Sequence, residues 1–217
     1  MNIRFLLKIL YILLKYLFSD RKRYLNLFYE IFKVKPKTIL EIGVYRGTRS
    51  SEMIKAAMIF KKNIKFYGFD LFEDFYFQNK ILRKELSKKP LTKSDIKKKL
   101  KKICHVKLFK GFTNKTLKEF SKKKIKVDFI FIDGGHSLET IKNDWKYSKL
   151  LMHKKTIVIF DDYYCNNKNL SKKFGCNFLY DKLKNSDEYL AKLLPFTDTF
   201  VENNSTKKIK MIKLTNR

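Results

Sequence analysis

Acidic residues and glycines follow the apolar runs of this chain at regular places. Glu41 lies within a short apolar run and is followed by Gly43 and Gly47, and Asp70 ends the next run. Glycine lets a backbone pass close to a ligand, and a carboxylate at a strand end can accept both hydroxyls of a ribose. A lone strand-end aspartate more often forms a turn or a cap. Their order and spacing together favour a nucleoside-binding site.

A second acidic set lies further along the chain. Asp133 ends a strongly apolar run, His136 follows three residues later, and Asp161 with Asp162 ends the next apolar run. If these runs are neighbouring parallel strands, about 4.8 Å apart, their carboxylates converge and repel one another unless a cation neutralises them. Oxygen ligands suit Mg²⁺, which would lower the pKa of a bound hydroxyl whose proton His136 could accept. A helix cap, an ordinary turn and a structural histidine are the open alternatives.

Alternating strands and helices must position both sets. Buried strands are predicted at 38–42, 65–70, 105–110, 127–132 and 156–160. Helices are predicted at 48–60, 94–102, 113–120, from Ser137 onward and at 176–194. Alternating residues at 197–202 and 208–214 predict a C-terminal antiparallel hairpin. The pattern therefore predicts an α/β fold with a mainly parallel, seven-stranded sheet that binds ligands at the carboxyl ends of its strands.

These motifs, taken in order, resemble those of a known family. EIGVYRG at 41–47, followed by Asp70, is similar to the S-adenosylmethionine site of class I methyltransferases, which have a Rossmann-like sandwich fold. FIDGGHS at 131–137 and IVIFDDY at 157–163 resemble the small-molecule O-methyltransferase branch. That branch includes the methyltransferase 24 group and the macrocin and mycinamicin enzymes. The resemblance covers roughly residues 36–165.

The resemblance implies roles in cofactor binding. Glu41 and the Gly43 backbone would face the methionine part of S-adenosylmethionine, Asp70 would hold the ribose, and Leu71 would lie by the adenine. The full set of cofactor contacts that we predict is Glu41, Gly43, Tyr45, Gly47, Asp70, Leu71, Gly111 and Asp133.

It also implies roles in catalysis. Metal-dependent members bind Mg²⁺ at positions that match Asp133, Asp161 and Asp162, and some members use a general base at the position of His136. Asp133 and His136 are therefore the predicted catalytic residues. The predicted reaction is O-methylation of a small hydroxylated acceptor, such as a sugar or a polysaccharide precursor.

The charge is strongly positive, with 50 Lys and Arg against 21 Asp and Glu and a net charge of +29. An apolar fraction of 44% excludes wholesale disorder. A basic surface favours nucleic acid, anionic lipid or an acidic substrate. However, 43 of the basic residues are Lys and only 7 are Arg. Because readers of bases and phosphates usually use Arg forks, compositional drift is favoured over RNA or nucleoprotein methylation, which stays the alternative function.

The first 18 residues are apolar but contain Arg4, Lys8 and Lys15, so they predict neither a membrane span nor a secretory signal. Three interpretations are open: a helix docked on the core, a helix that forms a homodimer, or an interfacial membrane helix within residues 1–23. The last would also permit a non-catalytic membrane-surface protein. We divide the chain into a helical segment, 1–33, and a methyltransferase domain, 34–217. Three cysteines without a C-x-x-C pair indicate a reducing, cytoplasmic location.

Overall fold

The strands lie where the apolar runs are. The computed structural model describes residues 3–73, 91–202 and 205–217. Its strands are β1 (Thr38–Ile42), β2 (Lys65–Asp70), β3 (His105–Lys110), β4 (Phe129–Ile132), β5 (Ile157–Tyr164), β6 (Tyr189–Leu193), β7 (Asp198–Glu202) and β8 (Ser205–Asn216).

Helices fill the connections between the strands. They are α1 (Ile3–Leu17), α2 (Leu25–Val34), α3 (Thr48–Met58), α4 (Lys93–Leu100), α5 (Thr113–Ser121), α6 (Leu138–Ser148), α7 (Lys168–Ser171) and α8 (Asn177–Leu183). A short 3-10 helix, Lys22–Tyr24, joins α1 to α2, and another, Lys149–Leu151, follows α6.

The described strands form one sheet in the order β3-β2-β1-β4-β5-β8-β6, and β7 also pairs with β8. Strands β1 to β5 are parallel to their neighbours, whereas β8 runs antiparallel to β5, β6 and β7. The predicted α/β class, the mainly parallel sheet and the C-terminal hairpin are confirmed. Because the chain order reverses between β1 and β4, the carboxyl ends of these two strands flank the crevice where such sheets bind ligands.

The described residues form eight strands, one more than the seven predicted. The structure places β6 inside the segment 176–194, which the sequence pattern assigned to a single helix. Helix α8 ends at Leu183, and the Ser186 hydroxyl then accepts hydrogen bonds from the backbone N–H groups of Glu188 and Tyr189. Such side-chain bonds compete with helical ones. The next residues pair with β8 instead, and this long-range pairing has no signal in the local sequence.

Helices cover both faces of the sheet. In one core cluster, helices α1, α2, α3 and α4 pack against sheet side chains such as Phe66 and Phe129. The other joins α5, α6 and α8 to side chains such as Phe69 and Phe160. Helix α1 buries its inner face within the first cluster. No helix in the described ranges is both long and apolar enough to cross a membrane.

Candidate active site

The loop after β1, residues 43–47, passes very close to the end of β4. We call it the cofactor loop, because the resemblance assigns S-adenosylmethionine to it. Gly43 has a φ of +90°, and a Cβ at this position would lie 1.8 Å from the carbonyl oxygen of Asp133. The N–H of Gly43 donates to the carbonyl of Phe69 at 2.9 Å, which also ties the loop to the end of β2. Only glycine satisfies both the positive φ and the close approach. The loop is therefore fixed at the crevice between β1 and β4.

Asp70 joins the ends of β1 and β2. Its Oδ2 accepts from the N–H of Tyr45 at 2.7 Å and its Oδ1 from the N–H of Phe72 at 2.8 Å. Burial raises the pKa of Asp70, although these backbone donors oppose the shift. The backbone N–H groups of Val44 and Leu71 also donate to this carboxylate, which therefore lies at the carboxyl end of β2, where such folds bind a ribose.

Two buried polar atoms in this region are unsatisfied. Glu41 Oε2 accepts from the Ser50 hydroxyl, but its Oε1 has no hydrogen-bond partner among the described residues, and neither has the hydroxyl of Tyr45. Burial raises the pKa of Glu41 well above its usual range. Buried polar atoms are normally paired. A polar ligand that supplies donors would satisfy both atoms, so the site fits the S-adenosylmethionine that the resemblance implies.

The remaining predicted cofactor residues lie around the same edge of the sheet. Leu71 directly follows β2, and Gly111 directly follows β3, where its N–H donates to the carbonyl of Asp70 at 3.0 Å. Gly47 begins α3 with a φ of +63° and is buried. The structure thus brings the predicted set together at the carboxyl ends of β1 to β4.

The acidic pair of β5 lies at an irregularity in the strand. The register with β8 shifts between Phe160 and Tyr163, and Asp162 has a φ of +60°. A bulge of this kind changes the direction in which side chains point. Asp161 is buried, and the Asp162 side chain is 13% exposed.

A buried arginine contacts this pair. Arg23 Nε donates to Asp161 Oδ1 at 2.7 Å, and Nη2 donates to Asp161 Oδ2 at 2.9 Å. Its Nη1 donates to Asp198 Oδ2, and its backbone N–H donates to Asp198 Oδ1 at 2.6 Å. Nη2 also lies 3.7 Å from Asp162 Oδ1. A single guanidinium group therefore pairs with carboxylates from both β5 and β7.

The contacts of Asp161 do not fit the predicted magnesium ion. Besides Arg23, its Oδ1 accepts from the N–H of Asp162 at 2.8 Å and its Oδ2 from the Tyr24 hydroxyl at 3.3 Å. All four lone-pair positions are occupied. In the described parts of the chain, no group of three or more His, Cys, Asp or Glu side chains could hold a metal ion. Asp161, one of the three predicted metal ligands with Asp133 and Asp162, is thus paired with Arg23 instead.

His136 pairs with the second aspartate of β5. Its Nδ1 lies 2.8 Å from Asp162 Oδ2, and its side chain is 32% exposed. Burial alone would lower the pKa of His136, but the hydrogen bond to Asp162 and the charges of Asp162, Asp133 and Asp161 raise it to about 9. The imidazole is therefore mostly protonated at neutral pH, and the fraction that can accept a proton grows as the pH rises towards 9.

Asp133 lies at the start of the loop that carries His136. Burial and the charges of Asp161 and Asp162 raise the pKa of Asp133 well above its usual range, against the opposing charges of His136 and Arg23. Its backbone forms the contact with Gly43 described above. Asp133 thus connects the cofactor loop to the acidic pair of β5, Asp161 and Asp162.

Sequence reasoning missed Arg23, Tyr24 and Asp198 as members of the site. The run Arg21–Arg23 has the appearance of a basic flank to an apolar helix, and Asp198 begins a hairpin strand. One signal was present, because Arg23 is among only 7 arginines in a chain with 43 lysines. Arginine is the residue suited to buried, bidentate ion pairs.

Comparison with known proteins finds the same fold in O-methyltransferases. The chain is similar in structure to an O-methyltransferase from Bacillus cereus in complex with SAH, with a TM-score of 0.60, 13% identity and coverage of 98% of this chain and 90% of that one. It is also similar to a putative caffeoyl-CoA O-methyltransferase from Staphylococcus aureus, with a TM-score of 0.57, 16% identity and coverage of 91% and 84%.

A third similar structure is the O-methyltransferase TomG from Streptomyces achromogenes in complex with SAM, with a TM-score of 0.57, 12% identity and coverage of 92% and 81%. No curated protein matches the chain. The methyltransferase 24 family, described as a methyltransferase domain, matches residues 40–163. This match contains the cofactor loop, the His136 loop and the acidic pair of β5, and it covers more than half of the chain. The resemblance to class I S-adenosylmethionine-dependent methyltransferases is confirmed, and the chain belongs to the methyltransferase 24 family.

Proposed function

We propose that the chain transfers a methyl group from S-adenosylmethionine to an oxygen atom of a small hydroxylated, sugar-like acceptor, with His136 as the base. The observation that carries the proposal is the pair of His136 Nδ1 and Asp162 Oδ2, 2.8 Å apart, at the strand ends next to the cofactor loop. A histidine oriented by a carboxylate can remove a proton from a hydroxyl group. Such a group beside the cofactor accelerates methyl transfer to oxygen by removing the hydroxyl proton.

Cofactor binding is assigned to the loops after β1 and β2. Asp70 would accept from ribose hydroxyls, and the unpaired oxygen of Glu41 would accept a donor from the methionine part. The Bacillus cereus and Streptomyces achromogenes enzymes are described as complexes with SAH and SAM. S-adenosylmethionine supplies the methyl group, and its sulfonium makes that carbon electrophilic.

His136 has one ring nitrogen for each task. Nδ1 is held by Asp162, so Nε2 is the atom that accepts the proton of the acceptor hydroxyl. Asp162 also stabilises the imidazolium that forms, and its pKa lies below its usual range because the His136 contact outweighs burial. No magnesium ion has a place in this scheme, because the lone pairs of Asp161 are already occupied.

The acceptor class is supported by the resemblance to the macrocin and mycinamicin enzymes, which act on sugars. Oxygen as the acceptor atom is also supported by the O-methyltransferases among the similar structures. A small acceptor is consistent with a base that lies in the loops of the sheet edge itself.

The cofactor assignment is tested by calorimetric titration with S-adenosylmethionine and its demethylated product. The wild-type chain is expected to bind both, and Asp70→Ala is expected to lose at least tenfold in affinity, since hydrogen bonds to a charged group contribute about 1.5–3 kcal/mol. Asp181→Ala is the matched control, because Asp181 is an exposed carboxylate that pairs with Lys184. Absence of binding, or equal binding by Asp70→Ala, would reject the assignment.

The base is tested by the pH dependence of methyl transfer to a panel of hydroxylated sugars. Because the pKa of His136 is about 9, kcat/KM is expected to rise with pH up to that value. His136→Asn is expected to lower kcat by about 10²–10⁴-fold and to remove this limb of the profile while S-adenosylmethionine still binds. A variant that keeps the wild-type profile would exclude His136 as the base.

A further inference from the structure

We propose that Arg23 is the permanent cation of the acidic cluster formed by Asp161, Asp162 and Asp198, and that this cluster consequently binds no divalent metal ion. Arg23 belongs to the 3-10 helix Lys22–Tyr24, outside the segment 40–163 that matches the family. The proposal rests on the proposed function only where it assigns Arg23 a part in orienting His136.

The geometry is that of a closed ion-pair site. The Arg23 guanidinium contacts both oxygens of Asp161 and one oxygen of Asp198, and the backbone N–H of Arg23 binds the other oxygen of Asp198. Arg23 is 6% exposed, and its guanidinium carbon lies 4.7 Å from the centroid of the Tyr24 ring. A bidentate fork with an aromatic neighbour is an arrangement that arginine forms and lysine cannot.

The charges explain why a cation must be present. Asp161 and Asp198 are buried, and a buried carboxylate without a partner is very costly. The carboxylates hold the pKa of Arg23 above its already high ordinary value, despite the opposing effect of burial. A second arginine, Arg49, lies over the same Tyr24 ring, with its guanidinium carbon 3.9 Å from the ring centroid. The chain thus supplies the positive charge that a metal ion would otherwise supply.

Arg23 also acts through Asp162 on His136. Nη2 lies 3.7 Å from Asp162 Oδ1, while Asp162 Oδ2 holds His136 Nδ1. The two oxygens of Asp162 therefore face one cation each, which fixes the direction of the carboxylate. Arg23 is in this sense a positioning residue for the base.

Binding of Mn²⁺, followed by electron paramagnetic resonance in the absence of cofactor and acceptor, tests the proposal. The wild-type chain is expected to bind no Mn²⁺ at the cluster. Arg23→Ala is expected to bind one Mn²⁺ per chain, and the double variant Arg23→Ala/Asp162→Asn to lose it again. Arg21→Ala is the control, because Arg21 is an exposed arginine two residues away. Arg21→Ala should, like the wild type, bind no Mn²⁺ at the cluster.

Each outcome decides the question. A wild-type chain that binds one Mn²⁺, lost in Asp162→Asn, would overturn the proposal, as would a folded Arg23→Ala chain that binds none. If circular dichroism shows that Arg23→Ala does not fold, Arg23→Met takes its place, since it fills similar space without the charge. Failure of S-adenosylmethionine binding would reject the proposed function and leave the Mn²⁺ result unaffected.

We infer, from a separate observation, that the outer face of α1 binds an anionic lipid surface. Eight large apolar side chains in and just after this helix are between 40% and 83% exposed. They are Ile3, Leu6, Leu7, Leu10, Tyr11, Leu14, Leu17 and Phe18. The opposite face is already buried through Ile9, Ile12 and Tyr16. Apolar patches of this extent mark interaction sites.

The positive net charge of the chain favours an anionic lipid surface over a second copy of the chain as the partner of the outer face of α1. Two chains that each carry +29 repel one another, which opposes a homodimer through α1, whereas anionic lipids attract a basic chain. The exposed Arg21 and Lys22 follow the helix directly. With 15 residues, α1 is too short to span a bilayer, but an apolar face of this size suits a helix that lies in the membrane interface.

Vesicle flotation of the full chain tests this inference. Binding is expected to vesicles of phosphatidylcholine with phosphatidylglycerol, to be weak on phosphatidylcholine alone, and to decrease with salt. Leu7→Glu/Leu14→Glu is expected to reduce binding roughly tenfold or more, because both side chains point outward. Val201→Glu changes an exposed apolar residue of β7 and is the control. No binding by the wild type, or a dimer in sedimentation that the double variant dissociates, would overturn the inference.

Discussion

The two halves of the candidate site are built in different ways. In the cofactor half, the side-chain hydrogen bonds join residues of one βα unit, such as Tyr45 and Asp70, which are 25 positions apart, and Gly43 also meets the backbone of Asp133 at the end of β4. In the acidic half, Arg23 joins Asp161 across 138 positions and Asp198 across 175. The first half follows from a loop motif in one βα unit. The second exists only when three distant segments of the fold meet.

This difference shows which part of a charged site can be predicted from sequence. Converging carboxylates require a cation, and this requirement follows from the strand order alone. The identity of the cation does not follow from it, since a metal ion and a buried guanidinium both meet the requirement. The cofactor loop has no such ambiguity, because only glycine satisfies the backbone at Gly43.

The largest effect on stability is expected from removing the Arg23 ion pairs of the acidic half. Arg23→Ala leaves buried carboxylates without their partner, so the free energy of unfolding should fall by about 3–5 kcal/mol. Urea denaturation of the variant and of the exposed control Arg21→Ala, expected within about 0.5 kcal/mol of wild type, measures it. A loss for Arg23→Ala as small as that for the control would mean that the cluster contributes nothing to the fold.

The next effect concerns the cofactor half. Gly43→Ala places a Cβ against backbone atoms of Asp133 at a positive φ, and should cost about 3 kcal/mol together with at least tenfold in S-adenosylmethionine affinity. Gly47→Ala is the comparison, because its Cβ would meet side-chain atoms and no backbone atom nearby, the nearest being the flexible end of Ile96 at 3.2 Å. We expect about 1 kcal/mol there. Equal losses in the two variants would contradict the close approach at Gly43.

A pH-dependent effect separates His136 from the rest of the acidic half. Its pKa in the folded chain, about 9, exceeds the value of about 6.5 expected when unfolded, so its protonation favours folding. This contribution is fully present below pH 6.5 and lost as pH rises through 9. We expect on the order of 2 kcal/mol, less than the shift alone implies, because the ring is partly exposed.

Unfolding curves at several pH values, compared between wild type and His136→Asn, isolate this contribution. The difference between the two should shrink as pH rises. Thr48→Ala, which changes an exposed residue of α3 without a titratable group, should show no such trend. A difference that grows with pH would reverse the sign and exclude the ion pair with Asp162.

The smallest effect is local. The Ser137 hydroxyl accepts from the N–H of Thr140 at 3.2 Å and caps α6 immediately after the His136 loop. Ser137→Ala should cost about 1 kcal/mol by thermal denaturation. Ser94→Ala, exposed in the first turn of α4 where Thr92 is the cap, should be nearly neutral. A neutral Ser137→Ala would show that tertiary packing, not the cap, sets the start of α6.

Much of the fold could be predicted because apolar runs specify strands directly. The five parallel strands and the hairpin lie where the sequence indicates them. The prediction of a single helix over 176–194 was wrong, because α8 and β6 are both rich in Leu and Tyr. Only the pairing of β6 with β8 distinguishes the strand from the helix. In the site, strand-end positions follow from topology. The partners of Asp161 do not, since no local pattern connects β5 with the segment before α2 or with β7.

The span of the Arg23 contacts also bears on how the chain acquires its structure. Synthesis proceeds from the N-terminus, so Arg23 exists well before its acceptors at 161 and 198. Contacts of such large sequence separation close long loops and form late. The cofactor loop, in contrast, needs only the first two strands and the start of β4. A nascent chain would therefore be able to assemble its nucleoside site before the acidic cluster is complete, and the final hairpin would lock the N-terminal segment in place.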